Sequence, residues 1–191
     1  FESCSGGGGR FDAGMLYYMP QTWTSDDTDA VQRQGIQYGT SFAYPASAMG
    51  AHVSAVPNHQ TGRITSMKLR GDVALGGNFG YELDLSKLDE ADTEVVRRQV
   101  ELVKRVRNLT QTGVFTRLLS PFEGRYTAWQ FVSEDASEAL LCVYRKLVTP
   151  MEPPIRVRMY DLDETATYVD DNGNRYSGAA LNRYGTWVHL R

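Results

Sequence analysis

The sequence predicts an α/β unit followed by a small antiparallel β domain, and two observations carry that expectation. Between residues 21 and 85, short β-prone runs alternate with helical stretches, the order expected of βα units around a parallel sheet. After Gly113 the pattern changes to short strands separated by turn residues. The boundary is therefore set between residues 112 and 113, giving segments 1–112 and 113–191.

Each element has a local reason. The glycines from Gly6 to Gly9 are followed at once by Phe11, Met15, Leu16, Tyr17, Tyr18 and Met19, so they read as a crowded turn between a strand end and a helix-like segment running to Pro20. Residues 21–25 form a β-prone run. The Asp26-Asp27-Thr28-Asp29 stretch that follows supplies N-cap chemistry for a helix over 30–41, and Pro45 closes that region. Residues 51–56 read as a strand ended by Pro57-Asn58, residues 66–75 as a helix, and residues 79–85, with alternating apolar and polar side chains, as a strand or extended arm. Over 89–109, Val96, Val100, Val103 and Val106, with Leu102 and Leu109, share one helical face while Arg97, Arg98, Lys104 and Arg105 take the other. Asp89 and Asp92 suit the positive end of that helix. Strands are predicted over 114–119, 127–133, 138–147 and 155–160. Asn172-Gly173, between Tyr168-Val169 and Arg175-Tyr176, predicts a hairpin with a type I′ turn.

Composition excludes several classes. With 20 Lys and Arg against 23 Asp and Glu, the net charge is −3 and no basic stripe is present, so nucleic acid is not expected as a partner. No run reaches the about 18 apolar residues of a membrane span. Cys4 and Cys142 have no framework spacing, which favours a reduced, cytoplasmic chain over a disulfide scaffold. The opening Phe1-Glu2-Ser3-Cys4 has no leader pattern and reads as the interior of something longer.

The chemistry-bearing residues leave alternatives open. The contiguous glycines end in Gly9-Arg10-Phe11, without the Lys and Ser/Thr of a phosphate loop or the spaced glycines of a dinucleotide fingerprint; phosphate binding and a plain turn both fit. Asp26, Asp27 and Asp29 could hold a raised carboxyl pKa, as a general acid requires, or could simply cap a helix. His52, His59 and His189 lack partners at ligand spacing, so neither a metal nor another cofactor is expected. Asp170-Asp171-Asn172-Gly173-Asn174 departs from a calcium loop, having Arg175 and Leu181 where glycine and glutamate belong. No His pairs with Cys4 as nucleophile, and Asn108-Leu109-Thr110 is an acceptor for glycosylation only in a secreted chain.

Four stretches are more specific than any of these patterns. Glu2-Ser3-Cys4-Ser5-Gly6-Gly7-Gly8-Gly9-Arg10-Phe11-Asp12, Tyr17-Tyr18-Met19-Pro20-Gln21-Thr22-Trp23-Thr24-Ser25-Asp26-Asp27-Thr28-Asp29-Ala30, Met49-Gly50-Ala51-His52-Val53-Ser54-Ala55-Val56-Pro57-Asn58-His59-Gln60 and Gly77-Asn78-Phe79-Gly80-Tyr81-Glu82-Leu83-Asp84 closely resemble the bacterial α-galactosidases of glycoside hydrolase family 36. The resemblance covers at least residues 1–133, and the β-rich remainder is similar to that family's C-terminal domain. It implies that the first segment is the C-terminal part of a (β/α)₈ TIM barrel. A whole barrel takes about 250 residues, more than the chain offers.

What the resemblance implies about chemistry is retaining hydrolysis of terminal α-linked galactose in oligosaccharides such as raffinose and melibiose. Asp26, the first Asp after Trp-Thr-Ser, matches the family's general acid/base. Cys4 and Gly7 match the residues that contact the galactose 2-hydroxyl, and Asp27 and Asp29 would be supports. The family's nucleophile lies in a Lys-Trp-Asp stretch, but here Trp23, Trp129 and Trp187 are followed by Thr24, Gln130 and Val188. The nucleophile is thus not in this chain, and these residues alone are expected to be inactive. A homo-oligomer is expected as well. The alternatives are specificity for α-N-acetylgalactosamine, galactosyl transfer, or a non-catalytic carbohydrate-binding or assembly module.

Overall fold

The computed structural model describes residues 1–4 and 12–190, which fall into two compact units, Phe1–Gln111 and Thr112–Arg191.

In the first unit, strand β1 (Glu2–Ser3) pairs parallel with β2 (Gln21–Thr22), and Thr22 bridges in parallel to Met49, just before β3 (Gly50–Ser54). Strand β3 pairs parallel with β4 (Asn78–Glu82), so four strands follow one another in chain order. Helix α1 (Ala30–Thr40) connects β2 to β3, and α2 (Met67–Ala74) connects β3 to β4. The predicted strand over 21–25 is only two residues long. The helix-like segment before Pro20 is a 3₁₀ helix, Ala13–Tyr17, capped by the Asp12 carboxylate accepting from the Gly14 N–H.

Ala51 and Val53 point from β3 into a core with Met67 and Ala74 of α2, against which Phe79, Tyr81, Leu88, Val95 and Val96 pack. Helix α3 (Glu90–Thr112) turns its predicted valine face inward. At its centre sits a buried polar residue, Gln99, which donates to the Met67 carbonyl at 2.8 Å and accepts from the Tyr81 hydroxyl at 2.9 Å. Burial pushes the Tyr81 phenol up to about 12, so it remains a donor.

The second unit is built on an antiparallel sheet of β5 (Val114–Leu119), β6 (Tyr126–Val132) and β7 (Ala139–Arg145), with β6 central and buried along both faces. A second layer holds two antiparallel pairs, β8 (Ile155–Val157) with β11 (Thr186–Val188), and β9 (Thr167–Val169) with β10 (Arg175–Ser177). Helix α4 (Gly178–Arg183) lies between β10 and β11. Val132, Met159, Leu162 and Leu181 form the core between the layers.

The predicted strand over 155–160 stops at Val157 because the next residues are engaged by a side chain instead. The Gln130 amide donates to the Tyr160 carbonyl at 2.6 Å and accepts from the Tyr160 N–H at 3.1 Å, as a neighbouring strand would. The hairpin at Asn172-Gly173 is present, but its turn is not type I′. Gly173 has φ +81° whereas Asn172 is not left-handed; the Gly173 N–H closes on the Asp170 carbonyl at 2.9 Å. The Asp170 carboxylate accepts from the N–H groups of Asn172 and Asn174, which selects this wider turn. Helix α4 and β11 were not anticipated from the sequence.

Replacing Gln130 with Leu, of similar bulk, leaves the Tyr160 N–H and C=O unpaired. It should lower the stability of the second unit by about 2 kcal/mol in urea unfolding; an unchanged midpoint would show that the amide is dispensable.

Candidate active site

The parallel order places the strand exits on one edge. The chain leaves β1 at Cys4, β2 at Trp23 and β3 at Ala55, so Cys4 and the Trp23-to-Asp29 segment lie on the C-terminal edge of the same sheet. In α/β sheets of this order, that edge is where ligands bind. Cys4 is an exposed free thiol. Gly7, the other residue expected to contact sugar, lies outside the described residues, as does the rest of the glycine run.

The segment carrying Asp26 is fastened on both sides. The Trp23 N–H donates to the Ser3 carbonyl at 2.8 Å, and Gly50 leaves room for the Trp23 ring across β3, where a Cβ would lie 2.9 Å from ring carbon Cε3. The guanidinium of Arg33, 2% exposed, stacks 4.7 Å from the Trp23 ring centroid. It donates through Nη1 to Thr24 Oγ1 at 3.1 Å and to the Ser25 carbonyl at 3.2 Å, and through Nη2 to the Gly50 carbonyl at 2.5 Å. Beyond Asp26, the Thr28 N–H donates to Gln60 Oε1 at 3.1 Å, and the Thr28 carbonyl accepts from the Ser54 hydroxyl at 3.0 Å. The Asn58 amide donates to the Thr28 hydroxyl at 3.0 Å. The Asp26 residue itself is exposed.

Asp27 and Asp29 have defined local tasks. The Asp27 carboxylate accepts from the Asp29 N–H at 3.0 Å. Asp29, 2% exposed, caps α1 by accepting from the Val31 N–H at 2.8 Å through Oδ1. Its Oδ2 accepts from the Thr61 hydroxyl at 2.6 Å and from Arg63 at 2.7 Å. Burial alone would raise the Asp29 pKa, but the Thr61 hydroxyl, the Val31 N–H and the Arg63 charge together hold it below the ordinary carboxylate value. Asp29 thus joins the cap of α1 to the loop after β3.

Polar groups also gather around Trp23. His52 packs its ring 4.5 Å from that of Trp23, with Glu82 Oε2 at 4.0 Å from Nδ1. Burial lowers the His52 pKa most; Glu2 and Glu82 oppose that effect and Arg33 adds to it, leaving the imidazole neutral at pH 7. Burial also lowers the Arg33 pKa to about 10, against the opposing pull of Asp27, Glu82 and Glu2, so the guanidinium stays charged at neutral pH. Gln21 donates to the exposed Glu2 carboxylate on the neighbouring strand. Among the described residues, no cluster of three His, Cys, Asp or Glu side chains could hold a metal ion.

The family models agree with this geometry. The melibiase model matches residues 1–113, and the glycosyl hydrolase family 36 C-terminal domain matches residues 126–190. The chain belongs to glycoside hydrolase family 36. Its first unit is part of the α/β catalytic domain of that family, and its second is the antiparallel β C-terminal domain. The α-galactosidase AgaA of Geobacillus stearothermophilus is 60% identical over the whole chain, which covers 26% of that protein. A solved structure of a doubly substituted AgaA in complex with raffinose superimposes with a TM-score of 0.97, at 57% identity over all of this chain and 27% of the other. The bifunctional α-galactosidase/sucrose kinase AgaSK of Mediterraneibacter gnavus is 51% identical over 96% of the chain and 20% of the protein. This family 36 chain therefore spans about a quarter of the length of the curated relatives it matches.

The motifs of the sequence brought Cys4, Asp26, Asp27 and Asp29 into view, and the structure sets all four on one edge. Sequence reasoning missed Arg33 and the ties from Asn58, Gln60, Thr61 and Arg63. A charged residue in a helix reads by default as a solvated one, and nothing in the pattern marks Arg33 as buried.

The lowered Asp29 pKa has a signed consequence. Its ionised form is favoured by folding, so its contribution is complete above the unfolded value of 3.8 and is lost as pH falls from there through the lowered native value. Asp29→Asn should destabilise the chain by about 1–2 kcal/mol near neutrality, and the gap from wild type should narrow progressively as the pH falls below 3.8. A gap independent of pH would mean that the carboxylate charge is not what Arg63 and Thr61 hold.

Proposed function

We propose that the polypeptide carrying this chain is a retaining α-galactosidase that releases terminal α-linked galactose from oligosaccharides of the raffinose type, with Asp26 as the general acid/base. The observation that supports this most directly is the position of Asp26. It is exposed at the C-terminal edge of parallel strands while the residues on either side of it are fastened. The 60% identity to AgaA, substituted forms of which bind raffinose and stachyose in solved structures, supports the substrate class.

In this reading a carboxylate supplied from outside these 191 residues attacks the anomeric carbon while Asp26 protonates the departing glycosidic oxygen. In the second step Asp26 takes a proton from water, which cleaves the galactosyl-enzyme with net retention. The two carboxyl groups of such a pair stand about 5–5.5 Å apart. An exposed carboxyl on a fixed backbone suits both duties, since it must meet the leaving group and then water. Cys4 and Gly7 contact the galactose 2-hydroxyl, where hydrogen bonds strengthen as oxocarbenium character develops. Asp27 and Asp29 support the acid by shaping the segment around it. The same reading carries a homo-oligomeric enzyme of the bacterial cytoplasm, where free thiols such as those of Cys4 and Cys142 persist.

The test uses a full-length enzyme carrying these residues, obtained by replacing the matching segment of AgaA with them. This enzyme should cleave raffinose and nitrophenyl α-galactoside, whereas the 191-residue chain alone should cleave neither. Asp26→Ala in the full-length enzyme should lower kcat/KM for raffinose by about 10²–10⁴-fold. The loss for the nitrophenyl substrate, whose leaving group needs little acid assistance, should be much smaller. Equal losses on both substrates would remove Asp26 from the acid role, and turnover by the isolated chain would place the nucleophile within it.

A further inference from the structure

We infer that Arg33 is the positioning residue for the acid/base, acting through the backbone that carries Asp26; this rests on the reading of Asp26 given above. Arg33 sits one turn into α1, its N–H donating to the Asp29 carbonyl at 2.8 Å, and it turns its guanidinium away from solvent towards the exit of β2. There it contacts Trp23, Thr24 and Ser25, the three residues immediately before Asp26, and also Gly50 at the start of β3.

The bond to the Ser25 carbonyl matters most. That carbonyl belongs to the Ser25–Asp26 peptide, whose plane helps set the direction in which the Asp26 Cα–Cβ bond leaves the chain. A charge-assisted bond to it, made by a planar fork whose other arm is held on the adjacent strand, limits rotation of that peptide. The Trp23 ring closes one face of the fork and keeps it from swinging outward.

The arrangement is an expensive way to hold two strands together. Burying a cation against neutral oxygens costs desolvation that neutral side chains would avoid. What the guanidinium adds is direction at the peptide before Asp26. Small errors there are costly, since a displacement of about 1 Å in a catalytic group can cost on the order of 10² in rate. Lysine cannot substitute, because one ammonium on a flexible stem cannot serve Thr24, Ser25 and Gly50 at once.

A residue that orients only the acid has a kinetic signature that a merely structural residue lacks. In the full-length enzyme carrying these residues, Arg33→Lys should lower the ratio of kcat/KM for raffinose to kcat/KM for nitrophenyl α-galactoside by about tenfold or more. Both values come from one sample, so any inactive fraction cancels. Thr24→Val, which removes one acceptor of the fork and keeps the charge, should shift the ratio the same way by a smaller factor, and supplies the measurement if Arg33→Lys does not accumulate. If these variants lose activity equally on both substrates, or lose none, while Asp26→Ala still collapses the ratio, the role assigned to Arg33 is wrong and the acid assignment stands. If Asp26→Ala also leaves the ratio unchanged, the reading of Asp26 fails first.

Discussion

Strands β1 and β2 are two residues long, and a ladder of that length cannot by itself hold the strand exits in register. The site edge of the first unit therefore depends on a buried guanidinium. Arg33 reaches from α1 to the end of β2 and the start of β3, and its bonds take the place of backbone pairs that the short strands do not make. Short strands with long excursions at their C-terminal ends suit an enzyme, because the excursions can carry function. The corresponding cost is that geometry at those ends rests on a few polar contacts in a low-dielectric setting, each worth more there than in water.

Asp29 provides the second fastening. One carboxylate caps α1 and, through its other oxygen, takes bonds from Thr61 and Arg63 of the loop after β3. The helix that follows one strand is thereby tied to the loop that follows the next. Asp26 lies between these two fastenings, so its neighbours are held while the residue itself is exposed to solvent. The three clustered aspartates differ by environment: Asp26 is exposed, Asp27 is half-buried and accepts from the Asp29 N–H, and the buried Asp29 is held ionised by its partners. The second unit solves its joins in a similar way, with the Gln130 amide standing in for a strand at Tyr160.

Much of this was legible in advance because the signals are local. The cap of α1, the helix after Ser66, the valine face of α3 and the strand runs of the second unit depend on residues a few positions apart, and they appear close to where periodicity and capping set them. The length of β2, the turn at Asn172-Gly173, helix α4 and strand β11 were not legible. Strand β11 is three residues long and pairs with β8, 31 positions back at Trp187↔Arg156, so its existence depends on a partner that no local pattern announces. The Asn172-Gly173 turn was decided by the Asp170 carboxylate, whose capture of two backbone N–H groups outweighed the dipeptide preference.

The sequence by itself determined the two-part fold class, the cap of α1 and, through its resemblance to family 36, the candidate roles of Asp26, Cys4 and Gly7. Only the tertiary structure decided which aspartate is buried and which is exposed, that Arg33 is an interior residue, and that the loop around Asn58 to Arg63 braces the segment that carries Asp26. The reason is physical. Residue type and spacing set what a side chain can do within about a turn of helix or a few positions of strand. Burial and long-range hydrogen bonding, by contrast, depend on which segments the fold brings together, and for Arg33 and Gly50, or Asp29 and Arg63, that information lies 17 and 34 residues away.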